Sequence, residues 1–260
     1  MNLSTPFGIL MGIGIILMAI SAEVSNSKIF FNIHSLAIVI GGTLATGLIS
    51  FSFGQIRDIA LVLVRQFLGQ RTKIRIETIN DIIQLSESVK NGESLESKVE
   101  QMKPGFLKES LELYLEGSMS KEELGEVLEK RIEVQNDRYH REGQTFKVIG
   151  KFPPAFGLIG ATLGMIGLLQ GLGSEDAFTK LGPAMSVALT ATFWGLVVAN
   201  LVLLPLGENL TLAAEEDLII REIAVDGVML LREKKHPLLV KEYLLSYLPP
   251  KERDKVYEVK

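Results

Sequence analysis

Three threonines lie inside the last two of the long uncharged segments of this sequence, where polar side chains are uncommon. Thr162 lies within residues 152–174, and Thr190 and Thr192 lie within residues 181–207. A helical threonine can satisfy its hydroxyl group on its own backbone, so one threonine alone indicates little. Three of them at a similar depth predict a polar lining.

Covalent or metal-dependent catalysis is not indicated by the sequence. The chain has no cysteine and three histidines, and it lacks the HExxH, Gly-x-Ser-x-Gly and phosphate-binding-loop motifs. It also lacks a basic stripe with interleaved aromatic residues of the kind that binds nucleic acid. We therefore expect no enzyme, no cofactor, no metal site and no nucleic-acid partner.

Four stretches of the chain are long and apolar enough to cross a bilayer. The stretches without Asp, Glu, Lys or Arg are residues 1–22, 29–56, 152–174 and 181–207. A helix needs about 20 apolar residues to cross about 30 Å of hydrocarbon. The predicted transmembrane helices are 3–22, 30–53, 152–173 and 183–206. Four buried helices of a soluble protein would leave little sequence to build its surface.

The positive charges predict the orientation of these spans. Of the 27 Lys and Arg residues, 16 lie in segment 54–151 and nine follow residue 206. Basic residues near membrane ends favour the cytoplasmic side. We therefore expect both termini and segment 54–151 in the cytoplasm, with short outer loops around 23–29 and 174–182.

The charged segments are predicted to be helical. Apolar residues recur at helical spacing before residue 104, and "SKEE" at Ser120–Glu123 is a capping-box pattern. Only "TKIRIET", residues 72–78, alternates weakly and suggests an extended strand. The fourth span is expected to continue as a long helix until Pro237, followed by a short helix. The predicted fold is all-α, with transmembrane helices in 1–53 and 152–206 and cytoplasmic helices in 54–151 and 207–260.

Small residues form stripes on the third and fourth spans. The third carries Gly157, Gly160, Ala161, Gly164, Gly167 and Gly171, and the fourth carries Ala188, Thr192, Gly195 and Ala199. Small residues allow membrane helices to approach closely. The stripes fit packing within one subunit, and they also fit two faces that surround a further helix.

A carboxylate is missing from the predicted spans. Ion-coupled membrane proteins generally place an ionisable group within the membrane. The chain is therefore either not ion-coupled, or its carboxylate comes from another polypeptide. A self-contained transporter would need a midplane charge or broken-helix repeats, and an intramembrane protease would need acidic or Ser/His pairs; the spans show neither.

The third and fourth spans resemble those of a known family. "PPAFGLIGATLGMIGLL", a short loop and "LGPAMSVALTATFWGLVVANLVLLPLGENL" are similar to the MotA/PomA family of flagellar stator proteins, as is "IVIGGTLATGLISF" in the second span. The resemblance covers nearly the whole chain. An ExbB/TolQ-type energiser is an alternative that usually has one span before the cytoplasmic loop, and a stator-like unit for a non-flagellar process also stays open.

The resemblance implies a machine in the bacterial inner membrane. Five A subunits would surround two B subunits, each with one membrane helix bearing an essential Asp and a periplasmic domain that grips peptidoglycan. Ion flow through that Asp would rotate the A ring, whose cytoplasmic loop would push the rotor's switch protein. The Asp in trans would account for the uncharged spans.

The resemblance also assigns roles to individual residues. The family prolines of spans three and four match Pro154 and Pro205, which implies hinges that couple ion passage to movement. The family threonine of the ion path matches Thr192. Ala161 and Ala191 stand where sodium-driven members carry threonine, so we expect protons, although the neighbouring hydroxyls of Thr162 and Thr190 are available.

The rotor-contact charges match the family pattern less closely. Lys90 fits its second basic position, Val89 replaces the first, and Glu96 fits its acidic position. The resemblance therefore implies that Lys90 and Glu96 contact the rotor. Solvated surface charges are the alternative.

Overall fold

The computed structural model of this protein describes residues 4–23, 27–57, 71–172 and 177–257. Every regular element in these ranges is helical, and four of the helices are long and apolar enough to cross a membrane, which confirms the predicted all-α membrane fold. Of the predicted outer loops, residues 24–26 and 174–176 lie outside the described residues, as does segment 58–70.

Helices follow one another along the described parts of the chain. In chain order they are α1 (Ser4–Glu23), α2 (Ile33–Ser50), α3 (Arg71–Lys90), α4 (Leu95–Gln101), α5 (Phe106–Leu115), α6 (Lys121–Ile149), α7 (Phe152–Gly171), α8 (Ala177–Val197), α9 (Leu204–Arg232), α10 (Pro237–Leu245) and α11 (Pro250–Arg253). Residues 53–57 are also helical, and Ser27–Phe31 and Asp254–Tyr257 form 3₁₀ turns. A π-helical segment lies within α2 at Ala37–Gly41, and another joins α8 to α9 at Val198–Leu203.

The chain divides into two compact units. The membrane unit comprises the described residues of 1–69 and 141–211, and the charged unit comprises those of 70–140 and 212–260. Helices α6 and α9 each begin in one unit and end in the other. Hydropathy predicts boundaries at residues 53, 151 and 206. These boundaries mark changes of composition, and that the chain enters or leaves the bilayer there remains a prediction.

Helices of the membrane unit expose apolar side chains over most of their surface. Only 6% of the most apolar window of α1 is buried. Such a surface is favourable in hydrocarbon, where the backbone hydrogen bonds of a helix are satisfied internally. Helix α2 begins at Ile33, three residues later than predicted, because the Asn32 side chain caps it by accepting a 2.9 Å hydrogen bond from the His34 N–H.

The charged unit has an apolar core built by α3, α6, α9 and α10. Ile79, Ile82, Leu128, Val228 and Leu244 are among its fully buried residues. The predicted strand at residues 72–78 is wrong, since this segment is the first part of α3. Its alternation is overridden by buried isoleucines that recur at three-residue intervals from Ile76, which is a helical spacing.

Two helix ends test the sequence signals directly. The capping box is confirmed: the Ser120 N–H donates to the Glu123 carboxylate at 2.7 Å, and the Glu123 N–H lies 3.2 Å from the Ser120 hydroxyl. The expectation that Pro237 ends the long helix is wrong. Helix α9 ends at Arg232, Lys234 takes a positive φ of 51°, and Pro237 opens α10.

Candidate ion path and coupling residues

The glycine stripe of α7 packs against α8 of the same chain. A Cβ atom added at Gly164 would lie 2.7 Å from the Ala188 Cβ and 2.8 Å from the Ala184 carbonyl oxygen. At Gly157 it would lie 2.9 Å from the Ala191 carbonyl oxygen. These glycines are therefore explained by packing within the subunit, the first of the two interpretations. Gly167 differs, because nothing lies within 4 Å of its added Cβ.

The start of α7 packs against the C-terminal end of α8. A Cβ at Gly195 would lie 2.6 Å from the Pro153 carbonyl oxygen and 3.2 Å from the Pro154 Cα. Pro153 and Pro154 are the second and third residues of α7, where the missing backbone N–H groups would have no helical partner in any case. Pro154 therefore fits a helix start as well as a hinge.

Pro205 follows directly on a local change of helix type. The preceding segment, Val198–Leu203, is π-helical, and the Leu204 N–H donates to the Ala199 carbonyl oxygen five residues earlier. Proline cannot donate to the helical ladder, so a widened turn before it accommodates the missing bond. This widened turn lies where the sequence predicts a hinge.

Thr192 lies at the contact of α7 with α8. Its hydroxyl is 3.2 Å from the Ala188 carbonyl oxygen on its own helix and 3.4 Å from the Gly157 carbonyl oxygen across the interface. The side chain is half-buried. Its oxygen keeps free lone pairs after donating to either carbonyl group.

Thr190 points to α2. Only 4% of this residue is exposed, and its hydroxyl donates to the Ser186 carbonyl oxygen. The hydroxyl of the fully buried Ser35 lies 3.3 Å from the Thr190 oxygen and 3.0 Å from the Val187 carbonyl oxygen. Sequence reasoning missed this buried hydroxyl pair, because a serine in an apolar helix gives no signal of its partner.

The other candidate positions lie on different sides of the helix pair. Thr162 is exposed and donates to the Ile159 carbonyl oxygen at 2.7 Å. Ala191 is completely buried beneath Gly160, whereas Ala161 is half-buried. Within one chain, the structure therefore does not bring the hydroxyls of Thr162, Thr190 and Thr192 onto a common surface.

The predicted rotor-contact residues both lie in the charged unit. The Lys90 ammonium, at the end of α3, is 3.2 Å from the Nε2 atom of His236. Lys234 and Lys235 line the same cavity of about 270 Å³, which makes it basic. Glu96, in the first turn of α4, accepts a 2.7 Å hydrogen bond from the Ser94 hydroxyl, which lowers the pKa of its carboxyl group.

No group of three or more His, Cys, Asp or Glu residues in the described parts of the chain is arranged to hold a metal ion. The hydroxyl and carbonyl oxygens described above are polar groups within α7 and α8. They can hydrogen-bond to water or to a group from another chain. They supply no ionisable group of their own.

Comparison with known proteins places the chain among motility proteins. Residues 98–222 match the MotA/TolQ/ExbB proton channel family. The chain is 25% identical over 248 residues to chemotaxis protein PomA of Vibrio alginolyticus, covering 95% of this chain and 96% of that protein. It is 26% identical over 258 residues to motility protein A of Borreliella burgdorferi, covering 98% and 97%.

The fold agrees with that relationship. The structure of the flagellar MotAB stator complex from Bacillus subtilis contains a chain that superimposes with a TM-score of 0.84 at 24% identity, covering 98% of this chain and 99% of that one. This likeness extends over both units. In its full-length relatives, its matching segment and its fold, the chain is therefore similar to the MotA/PomA family of flagellar stator A subunits.

Proposed function

We propose that this protein is the ion-conducting A subunit of a bacterial flagellar stator, which couples ion flow to torque on the rotor. The observation that carries the proposal is the set of four apolar helices without a membrane carboxylate, in a chain whose PomA and motility protein A relatives match over nearly their whole length. An A subunit of this kind lines the ion path, and a second polypeptide supplies the carboxylate that titrates within it.

The partner is a B-type subunit with one membrane helix that bears an essential Asp. The helices of the membrane unit expose apolar side chains that a partner helix or another copy can cover, among them Leu158, Leu163 and Leu169 on α7. Several A subunits, expected to be five, surround the B helices in the cytoplasmic membrane. Both termini and the charged unit face the cytoplasm, in agreement with the basic flanks of the spans.

The coupling ion is the proton. Sodium needs several oxygen ligands close together. The positions that resemble the sodium-associated threonines are Ala161 and Ala191, and the Thr190 hydroxyl is engaged by Ser35 and Ser186. Thr192, together with the exposed Thr162, lines the path, where water and a hydroxyl are sufficient for proton transfer to a carboxylate.

Torque reaches the rotor through two kinds of residue. Pro205, next to the π segment, serves as the hinge of the fourth span, and Pro154 holds the start of α7 on Gly195. Lys90 and Glu96 contact the switch protein, with Lys234 and Lys235 adding positive charge beside Lys90. Exposed charges of this kind set the rate and specificity of an encounter more than its affinity.

Complementation tests the proposal. The chain, expressed with its B-type partner in a host that lacks its own stator genes, should restore swimming, and expression without the partner should not. A B subunit with Asn in place of the membrane Asp is the matched control. Absence of swimming with both proteins correctly inserted would contradict the flagellar role. Restored energisation of outer-membrane uptake would favour the ExbB/TolQ-type alternative.

A further inference from the structure

An acidic groove runs between α6 and α9 in the charged unit. Four carboxylates line it over a hydrophobic floor that includes Ile132 and Val225, and the cavity measures about 360 Å³. These carboxylates belong to Glu129, Glu133, Glu222 and Asp226. A surface of this composition repels itself and attracts positively charged groups.

Most carboxylates of the acidic groove have no positive partner in the described parts of the chain. Among the described residues, Glu129 and Glu222 form no ion pair, and burial together with the nearby Asp226 raises the pKa of Glu222. Asp226 accepts a 2.7 Å hydrogen bond from the neutral Tyr247 hydroxyl. The buried Oδ1 atom of Asn136, in the same groove, accepts no hydrogen bond. Glu129 and Glu222 therefore present carboxylate acceptors to a donor from another molecule.

Glu133 is the exception, since its carboxylate lies 2.6 Å from the Lys130 ammonium. Both side chains are more than half exposed, at 60% and 69%. Exposed pairs one turn apart on a helix contribute little and exchange readily with other partners. This pair therefore leaves both charges available to another molecule.

A basic groove lies on the opposite side of α6. Lys130 and Arg131 line it together with Arg221 of α9, and a single acid, Glu109, faces them across about 480 Å³. Arg131 lies 4.0 Å from Glu109, with both side chains largely exposed. Val134, which also lines this groove, is 56% exposed and offers an apolar contact.

The two grooves are on opposite faces because of helix geometry. Successive residues of an α-helix are about 100° apart. Residues 129, 132, 133 and 136 of the acidic groove therefore centre about 180° from residues 127, 130, 131, 134 and 135 of the basic groove. Complementary surfaces on opposite sides of one element suit a head-to-tail contact, and such contacts close into rings when the rotation is right.

We propose that the acidic groove of one copy receives the basic groove of the next copy, so that the charged units join head to tail around α6. The inference rests on the proposed function, which requires several A subunits in one assembly. Lys130 and Arg131 of one copy supply the donors that Glu129 and Glu222 lack among the described residues of their own chain. The occupant of each groove is thus a second copy of this protein.

Cross-linking between copies tests the arrangement. Because the chain has no cysteine, one tagged full-length chain carrying Glu222→Cys and a differently tagged chain carrying Arg131→Cys are co-expressed with the B-type partner and oxidised. We expect a disulfide-linked pair that carries both tags. Glu116→Cys, an exposed position outside both grooves, replaces Glu222→Cys as the matched control and should give at least about tenfold less product.

Charge reversal supplies a second measurement on the same complex. In a chain without the cysteines, Glu129→Lys with Glu222→Lys places like charges across the contact and should reduce the share of intact oligomer by about tenfold or more. Adding Lys130→Glu and Arg131→Glu to the same chain restores opposite charges and should recover the oligomer. Helical circular dichroism of each variant verifies that the charged unit stays folded.

Three outcomes overturn the inference. The first is an oligomer that stays intact with Glu129→Lys and Glu222→Lys. The second is cross-linking of the Glu222→Cys chain only to another Glu222→Cys chain, and the third is cross-linking only to the B subunit. If swimming is restored in spite of any of these, the flagellar role stands and the interface is wrong. If the mixed pair forms without swimming, the interface stands and the flagellar role is wrong.

Discussion

Gly164 offers the sharpest test of how α7 and α8 are held together. The glycine is buried, and an added methyl group would meet three atoms of α8 at 2.7–2.9 Å, two of them backbone atoms of Ala184 and Ala188. Contacts between carbon atoms are normally 3.5–4.0 Å. Because backbone atoms cannot turn aside as a flexible side chain does, Gly164→Ala must separate the two helices or tilt them.

The expected cost follows from these distances. An overlap of about 1 Å in a packed interface is an overpacking change, which typically costs about 1–3 kcal/mol. Because two of the three atoms met are backbone atoms, the upper part of that range, about 2–3 kcal/mol, applies. The better helix propensity of alanine offsets up to about 1 kcal/mol of this cost. We therefore expect a net loss of about 1–2 kcal/mol, which corresponds to a melting temperature lower by roughly 2–8 °C in a chain of this size.

The measurement is thermal unfolding of the purified chain in detergent micelles, followed by circular dichroism. The matched control is Gly167→Ala, three residues further along the same helix, where an added methyl group meets nothing within 4 Å. It gains helix propensity without overlap, so its melting temperature should be equal to or higher than that of the wild type.

Equal melting temperatures for Gly164→Ala and the wild type would refute the close approach of α7 and α8. A large loss of stability in Gly167→Ala would contradict the open space around this position. If Gly167→Ala keeps the stability of the chain and still impairs swimming, its face contacts another subunit in the assembled stator.

Three further predictions concern ion choice, rotor contact and helix capping. Rotation should persist without sodium and stop with a protonophore. Thr192→Ala should slow rotation, and Thr192→Ser should largely preserve it. A saturable sodium dependence that survives the protonophore would contradict proton coupling. Lys90→Glu and Glu96→Lys should each impair swimming while membrane assembly stays normal, and normal swimming of both variants would exclude these contacts. Hydrogen bonds from the backbone and hydroxyl of Ser120 lower the pKa of Glu123 in the folded state. The stability that the ionised Glu123 contributes is therefore present above the pKa of the unfolded state and is lost as pH falls through the pKa of the folded state. Glu123→Gln should abolish this part of the acid sensitivity in an unfolding titration, and an unchanged titration would argue against the capping box.

The span positions could be predicted because hydrocarbon imposes a simple rule of length and charge. The four uncharged stretches correspond to α1, α2, α7 and the chain from α8 onward. The capping box could also be predicted, because it is a local exchange of hydrogen bonds within four residues. The family resemblance, carried by the third and fourth spans, indicated the function in the same way.

Features that depend on pairing across the fold were not accessible from the sequence. The helical spacing of Gly157 and Gly164 predicted a smooth face, whereas only the structure shows that α8 of the same chain fills it. Thr190 and Thr192 are two residues apart, yet they point to different neighbours because a helix turns by about 200° over two residues. The end of α9 at Arg232 depends on the left-handed residue Lys234, which carries no turn signature.

The π segment Val198–Leu203 also fixes an angular offset along the fourth span. A π turn holds one more residue than an α turn, and each residue of an α-helix accounts for about 100° of rotation. If this segment became regular α-helix without a change in length, Thr192 would turn by about 100° relative to Leu206 and Leu210, which pack on Phe146. Deleting one of its residues would instead allow regular α-helix and largely keep that alignment. The helix type of this segment therefore decides which residues of the fourth span share a face with one another.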